Sequence, residues 1–167
     1  MSSILTQPEE KRLARLQEYV DQIEAAMKRM TKSIQEGDMR GFSEEEVRFY
    51  LSTVPVLIAE SNLLLAKMTR DAGYATIDRK IINAELWKKC NQLKDELGLS
   101  NAKDREAYVQ TQPEYIKAQQ AEVEWKYRLD QMQVIAERYN NLFISVRKVA
   151  SLIEKDVQNQ YRREQYE

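Results

Sequence analysis

The sequence predicts an all-α protein, an elongated helical bundle or coiled coil with long heptad-patterned helices. Three observations carry this. Only four Gly and three Pro occur in 167 residues, too few for the turns of a sandwich or barrel. Apolar residues recur at alternating steps of three and four over long runs, which is the spacing of one helix face. Charged residues make up 32% and apolar or aromatic ones 43%, with a mean hydropathy of −0.67. That balance supplies a core and enough charge to coat long helices.

The first helix is announced by Thr6-Gln-Pro-Glu9. Thr6 caps free amides, Pro8 suits the first turn and Glu9 completes a capping box. Leu13, Leu16, Val20, Ile23, Met27, Met30 and Ile34 then form an unbroken heptad seam, ended by Gly37 and Gly41. The flanking positions Gln17, Tyr19, Glu24, Ala26, Thr31 and Ser33 carry one charge, which argues for a wide buried face rather than a charge-zipped dimer. The seam fits an oligomerisation arm or an ordinary bundle helix, and spacing alone leaves both open.

A second capping box, Ser43-Glu-Glu-Glu46, opens the next helix, with three carboxylates near its positive end. Val47, Leu51, Val54, Ile58, Leu65 and Met68 follow at heptad spacing, widened by Tyr50, Leu57 and Leu64. Pro55 either kinks this helix or restarts it with Thr53 as cap. Gly73 is a second weak point, before Ile77, Ile81, Leu86, Cys90, Leu93 and Leu97; Gly98 and Leu99 read as a C-terminal cap.

A short polar helix spans 101–110, and Thr111-Gln-Pro-Glu114 repeats the N-terminal quartet at the start of the longest element. There Trp125, Leu129, Met132, Ala136, Tyr139, Phe143, Val146, Ala150, Ile153 and Val157 make a second seam, with Ile135, Leu142 and Val149 as an added stripe. From Pro113 to Val157 this helix would extend on the order of 65 Å, so an elongated chain whose apolar stripe needs a partner is expected. Residues 1–40 thus read as an N-terminal heptad helix, the oligomerisation arm. Residues 41–158 read as a helical core with a long C-terminal helix, and 159–167 as a frayed polar tail.

The chain has no His and one Cys. Ser-His-Asp, Cys-His, zinc and Glu-x-x-His di-iron chemistry all need residues it does not have. No glycine-rich phosphate loop or paired-carboxylate signature stands out, so the expectation is no enzyme, no catalytic residue, no metal and no cofactor. Cys90 alone forms no internal disulfide and fits a reducing compartment. The start, MSSILTQPEEKR, reads as no signal peptide. The apolar stretch from Val54 to Leu65 is short and carries Pro55, Glu60 and Asn62, so a cytoplasmic protein without a membrane span is expected.

A net charge of −1 hides a local bias. From Lys67 to Lys94 there are seven basic residues against three acidic ones; residues 1–66 hold eight against eleven. Tyr74 and Trp87 lie inside the basic stretch. Cations neutralise phosphates and rings stack on bases, which makes Lys67, Arg70, Tyr74, Arg79, Lys80, Trp87, Lys88 and Lys89 the candidate nucleic-acid contacts. The same cluster also suits a plain solvated face or a protein-docking patch. A pI near 5.8 opposes strong binding by one copy, whereas several copies on one strand would act by avidity.

From about Glu44 to Lys155 the layout resembles recombination mediators of the UvsY type from tailed bacteriophages. The resemblance lies in Leu-Leu-Ala-Lys-Met-Thr-Arg at 64–70, Ala-Lys-Asp-Arg-Glu-Ala-Tyr at 102–108, the Pro-Glu-Tyr restart at 113–115, and Tyr-Asn-Asn-Leu-Phe-Ile-Ser-Val-Arg at 139–147. It implies a ring-like homo-oligomer in the host cytoplasm that holds single-stranded DNA. Such a protein helps load a recombinase onto strands coated by single-strand binding protein. The expectation is therefore a non-catalytic single-stranded DNA-binding accessory acting as a homo-oligomer. The alternative is a coiled-coil adaptor or inhibitor acting only through protein contacts.

Overall fold

The computed structural model describes residues 7–37 and 42–164. Thr6 and Gly41, assigned to helix ends above, lie outside them, as does the tail beyond Glu164. Four helices form in order: α1 (Gln7–Gln35), α2 (Glu44–Gln92), α3 (Ala102–Gln110) and α4 (Pro113–Glu164). No strand occurs among the described residues, and the protein is an all-α helical bundle with two long helices packed on each other.

Local chemistry sets the ends. The Ser43 hydroxyl accepts from the Glu46 amide at 3.0 Å, while the Glu46 carboxylate pairs with Arg29 instead of closing the box. Beyond Gln92 helical turns continue to Gly98, which sits at φ 65°. The Leu99 amide then donates back to the Lys94 carbonyl at 2.9 Å, the 6→1 bond of a Schellman cap. Asn101 is extended and accepts from the Asp104 amide at 2.9 Å, which starts α3. Thr111 does not cap α4; its hydroxyl donates to the Tyr108 carbonyl and closes α3. The Gln112 carbonyl takes the first bond of α4, with Pro113 in the first turn, where its missing amide costs nothing.

Neither Pro55 nor Gly73 divides α2. Pro55 faces outward while Val54 and Leu57 beside it are buried, so core packing on both sides offsets the lost backbone bond. Gly73 is exposed, and a Cβ there would meet nothing within 4 Å. Of the polar tail expected to fray from residue 159, the part as far as Glu164 continues α4 as helix, since no Gly or Pro follows Val157.

The chain divides into two compact units. Unit 2 comprises α1, α2 up to Leu64 and α4 from Met132. Pairs Arg15–Glu60 and Arg29–Glu46 run α1 antiparallel to α2. Tyr139 is fully buried, and its hydroxyl donates to the Leu16 carbonyl at 2.7 Å; burial pushes its pKa up to about 12. Leu16, Val20, Ile23, Met27 and Met30 of α1, Val54, Leu57 and Leu64 of α2, and Met132, Ile135, Leu142 and Val146 of α4 are all buried in its core.

Unit 1 is residues 65–131 of α2, α3 and α4. Its core holds Met68, Ala72, Ala75, Cys90 and Val109. Thr76 and Arg79 reach Glu122, and Arg79 also engages Tyr115, so α2 and α4 are antiparallel here. Replacing Gly73 by Ala should stabilise the protein by about 0.5–1 kcal/mol, since the new methyl clashes with nothing and helix propensity rises. Urea denaturation checks this; a loss of stability would show that α2 needs backbone freedom at this position.

Candidate nucleic-acid interface

Of the seven basic residues between 67 and 94, all but Lys94 lie on α2. At about 100° per residue, Lys67, Arg70, Tyr74 and Lys88 fall within roughly 60° of one another. They form an exposed stripe that also carries Ile77 and Ile81, each about half accessible. Lys80 and the half-buried Trp87, seven apart, form a column on one shoulder; Lys89 is exposed on the other. Arg70 shares its charge with Asp71 at 3.2 Å.

Arg79 departs from the expectation. It points to the opposite side of α2, into α4, where it pairs with Glu122 and engages Tyr115. A guanidinium held this way is not offered to a phosphate, and a run of sequence could not reveal it because its carboxylate partner lies 43 positions away. Glu122 also accepts from Lys126 at 2.8 Å and Thr76 at 2.9 Å. These bonds hold the carboxyl down at about 2 against burial, which acts to raise it.

The acidic residues of the stretch are ordered too. Asp71, Asp78 and Glu85 recur every seven residues along the edge of the stripe nearest α4. Asp71 and Asp78 line a groove of about 570 Å³ between α2 and α4 together with Tyr74 and Trp125. Tyr74, 58% accessible, therefore stands between a basic outer stripe and an acidic groove.

In unit 2 the residues assigned to the oligomerisation arm are accounted for. Leu16, Val20, Ile23, Met27 and Met30 are buried within the single chain, and Leu13 and Ile34 at the ends are half-buried. The fold closes this seam on its own α2 and α4, so as folded it is not a surface for another copy. Heptad spacing is common to both uses, which is why sequence could not separate them. A second hollow, about 370 Å³, lies between α1 and α4 and is lined by Lys28, Lys32 and Arg138 with Thr31, Asn141 and Ser145. Sequence reading missed it, because the two helices bring these residues together from opposite ends of the chain. Arg138 is held by Glu24 at 2.8 Å and Asp21 at 2.5 Å. Its bonds to the two carboxylates raise its pKa above the usual guanidinium range. The bond to Glu24 lowers the pKa of that carboxyl, while Asp21 is lowered first by the amide of Gln17 and then by Arg138.

Apolar side chains also stay outside. On the outer face of α4 in unit 1, Ile116 is 40% accessible and Val123 and Tyr127 are each 62% accessible. An 18-residue window of α2, with mean hydropathy 1.4 and 22% of it buried, is apolar enough to cross a membrane by length and composition. Val47, Val54, Leu57 and Leu64 of α2 are buried in the unit 2 core, as is Ser61.

The fold is an all-α helical bundle, and the outer face of α2 carries a basic stripe. No family model matches the chain, and no curated protein or solved structure matches it.

The Glu122 cluster predicts an acid-sensitive unit 1. The folded carboxyl titrates at about 2 rather than 4.5, so its contribution is fully present above about pH 4.5 and is lost as pH falls towards 2. Glu122→Gln should lower the melting temperature at pH 6, and the gap from the parent protein should narrow by pH 2.5. A gap that is constant across this range would remove Glu122 as the titrating group.

Proposed function

We propose that the protein is a non-catalytic, single-stranded DNA-binding accessory that acts as a homo-oligomer, as a recombination mediator does. The observation that carries this reading is the outer stripe of α2, where Lys67, Arg70 and Lys88 share an exposed face with the Tyr74 ring. Cations spaced along a helix track a phosphate backbone, and an accessible ring stacks on any base, so binding of this kind is tolerant of sequence. The stripe has few charges, and the whole chain carries −1. Useful affinity then comes from several copies on one strand. The exposed Ile116, Val123 and Tyr127 face of α4 supports such assembly, since contiguous apolar surface of this kind marks interaction sites. A recombinase or single-strand binding protein is the partner class this reading implies, and the cytoplasm of a host cell is its setting.

The same apolar face favours a second reading, a docking module that acts through protein contacts and leaves DNA alone. Light scattering with and without a poly-dT oligonucleotide separates the two.

Binding of labelled oligo-dT should weaken steeply with salt. Neutralising Lys67 and Lys88 to Gln should lower the log–log salt slope by about 0.7 for each phosphate that is no longer neutralised. Absence of binding by micromolar protein at low salt would end this reading. For assembly, Val123→Lys should lower the mass in solution. Ile23→Ala should leave the mass unchanged and cost about 2–5 kcal/mol of stability. A mass that falls with Ile23→Ala instead would return oligomerisation to the α1 seam.

A further inference from the structure

We propose that the groove between α2 and α4 in unit 1 is a binding site for an aliphatic polyamine. Ala75, Ala118 and Ala121 face one another across two antiparallel helices. Methyl groups there leave a trough of about 570 Å³ where larger side chains would have closed the seam. That volume is in the range of small-molecule sites, and its floor suits methylene chains.

The rim specifies charge. Asp71, Asp78 and Glu114 border the trough against one cation, Lys117, an excess of two carboxylates even though Asp71 is shared with Arg70. Asp71 and Asp78 stand two turns apart on α2, about 10.5 Å along the axis. The antiparallel order puts Trp125 at the Asp71 end and Glu114 at the Ile82 end. Among the described residues no group of three or more His, Cys, Asp or Glu side chains could hold a metal ion. The carboxylates are dispersed along the trough, which fits a ligand with several separated ammonium groups. Tyr74 and Trp125 add ring faces of the kind that attract alkylammonium groups. An anion would be repelled by the rim, and a purely apolar ligand would leave the carboxylates without partners. The proposal stands apart from strand binding, and it is tested without DNA.

The chain has two tryptophans, so Trp87→Phe leaves Trp125 as the only reporter. Titrating that protein with spermidine at low salt should give a saturable change in tryptophan emission. n-Butylamine, with one ammonium, should bind at least about tenfold more weakly. Asp78→Asn and Glu114→Gln should each weaken spermidine by about fivefold, the size of one exposed ion pair. Glu45→Gln, at the far end of α2, should change nothing. Calorimetry on the unaltered chain gives the same affinity if Trp87→Phe is harmless and replaces the fluorescence result if it is not. No saturable binding of spermidine into the millimolar range overturns the proposal. So does equal binding of n-butylamine or of an apolar dye, or an equal loss with Glu45→Gln, since each would mark a non-specific surface.

Discussion

A helix that packs on neighbours at heptad spacing buries one stripe of its circumference and must leave the rest in water. α2 and α4 obey this constraint in both units, and the basic stripe and the exposed apolar face both lie on what they leave out. In unit 2 the inner stripes are large and interlocked, with Tyr139 anchored to the Leu16 backbone. In unit 1 the inner stripe of α2 is lean, with Ala72 and Ala75 next to Met68, so dispersion and apolar burial contribute less there. Part of the specification passes to Glu122, a buried carboxylate fixed by Thr76, Arg79 and Lys126. Removing one partner from such a cluster leaves a charge without compensation, so each of the three contacts is costly to lose.

Much of the fold was legible, because short-range chemistry determined it. Ser43 and Gly98 each act at a helix end through a bond that spans no more than five positions, and Pro113 acts through its own ring, so the sequence alone reveals them. Asn101, by contrast, read as part of the short helix, caps it from outside. The core faces were legible for the same reason. What escaped depended on tertiary context. Whether Pro55 or Gly73 breaks α2 is decided by packing on either side of them, and the buried face that recurs from Val54 to Ala75 overrides both breakers. Thr111 looked like a copy of Thr6 but serves the helix before it, where its hydroxyl donates to the Tyr108 carbonyl.

The candidate site was legible as a cluster, but its order along the chain hid its order around the helix. Eight residues chosen from one stretch separate into an outer stripe, two shoulders and one inward guanidinium once the helix is wound. Arg79 left the set because its partner lies in α4. The α1 seam shows the same limit in apolar form. Its spacing specifies a partner helix without saying whose, and here the chain supplies its own.

The order around α2 also bears on how the two proposed ligands would act on one another. The Asp71–Asp78–Glu85 column lies beside Lys67, Arg70 and Lys88, closer than a Debye length at physiological salt. A phosphate backbone on the outer stripe would feel that column as repulsion, which confines the strand to the side away from the groove. A polycation in the groove would neutralise part of the column and relieve the repulsion. Binding free energies are linked, so whatever factor the polyamine adds to strand affinity, the strand must add to polyamine affinity. A chain with a net charge of −1 would then hold DNA through the placement of its charges, with the acidic column setting how strongly the basic stripe is felt.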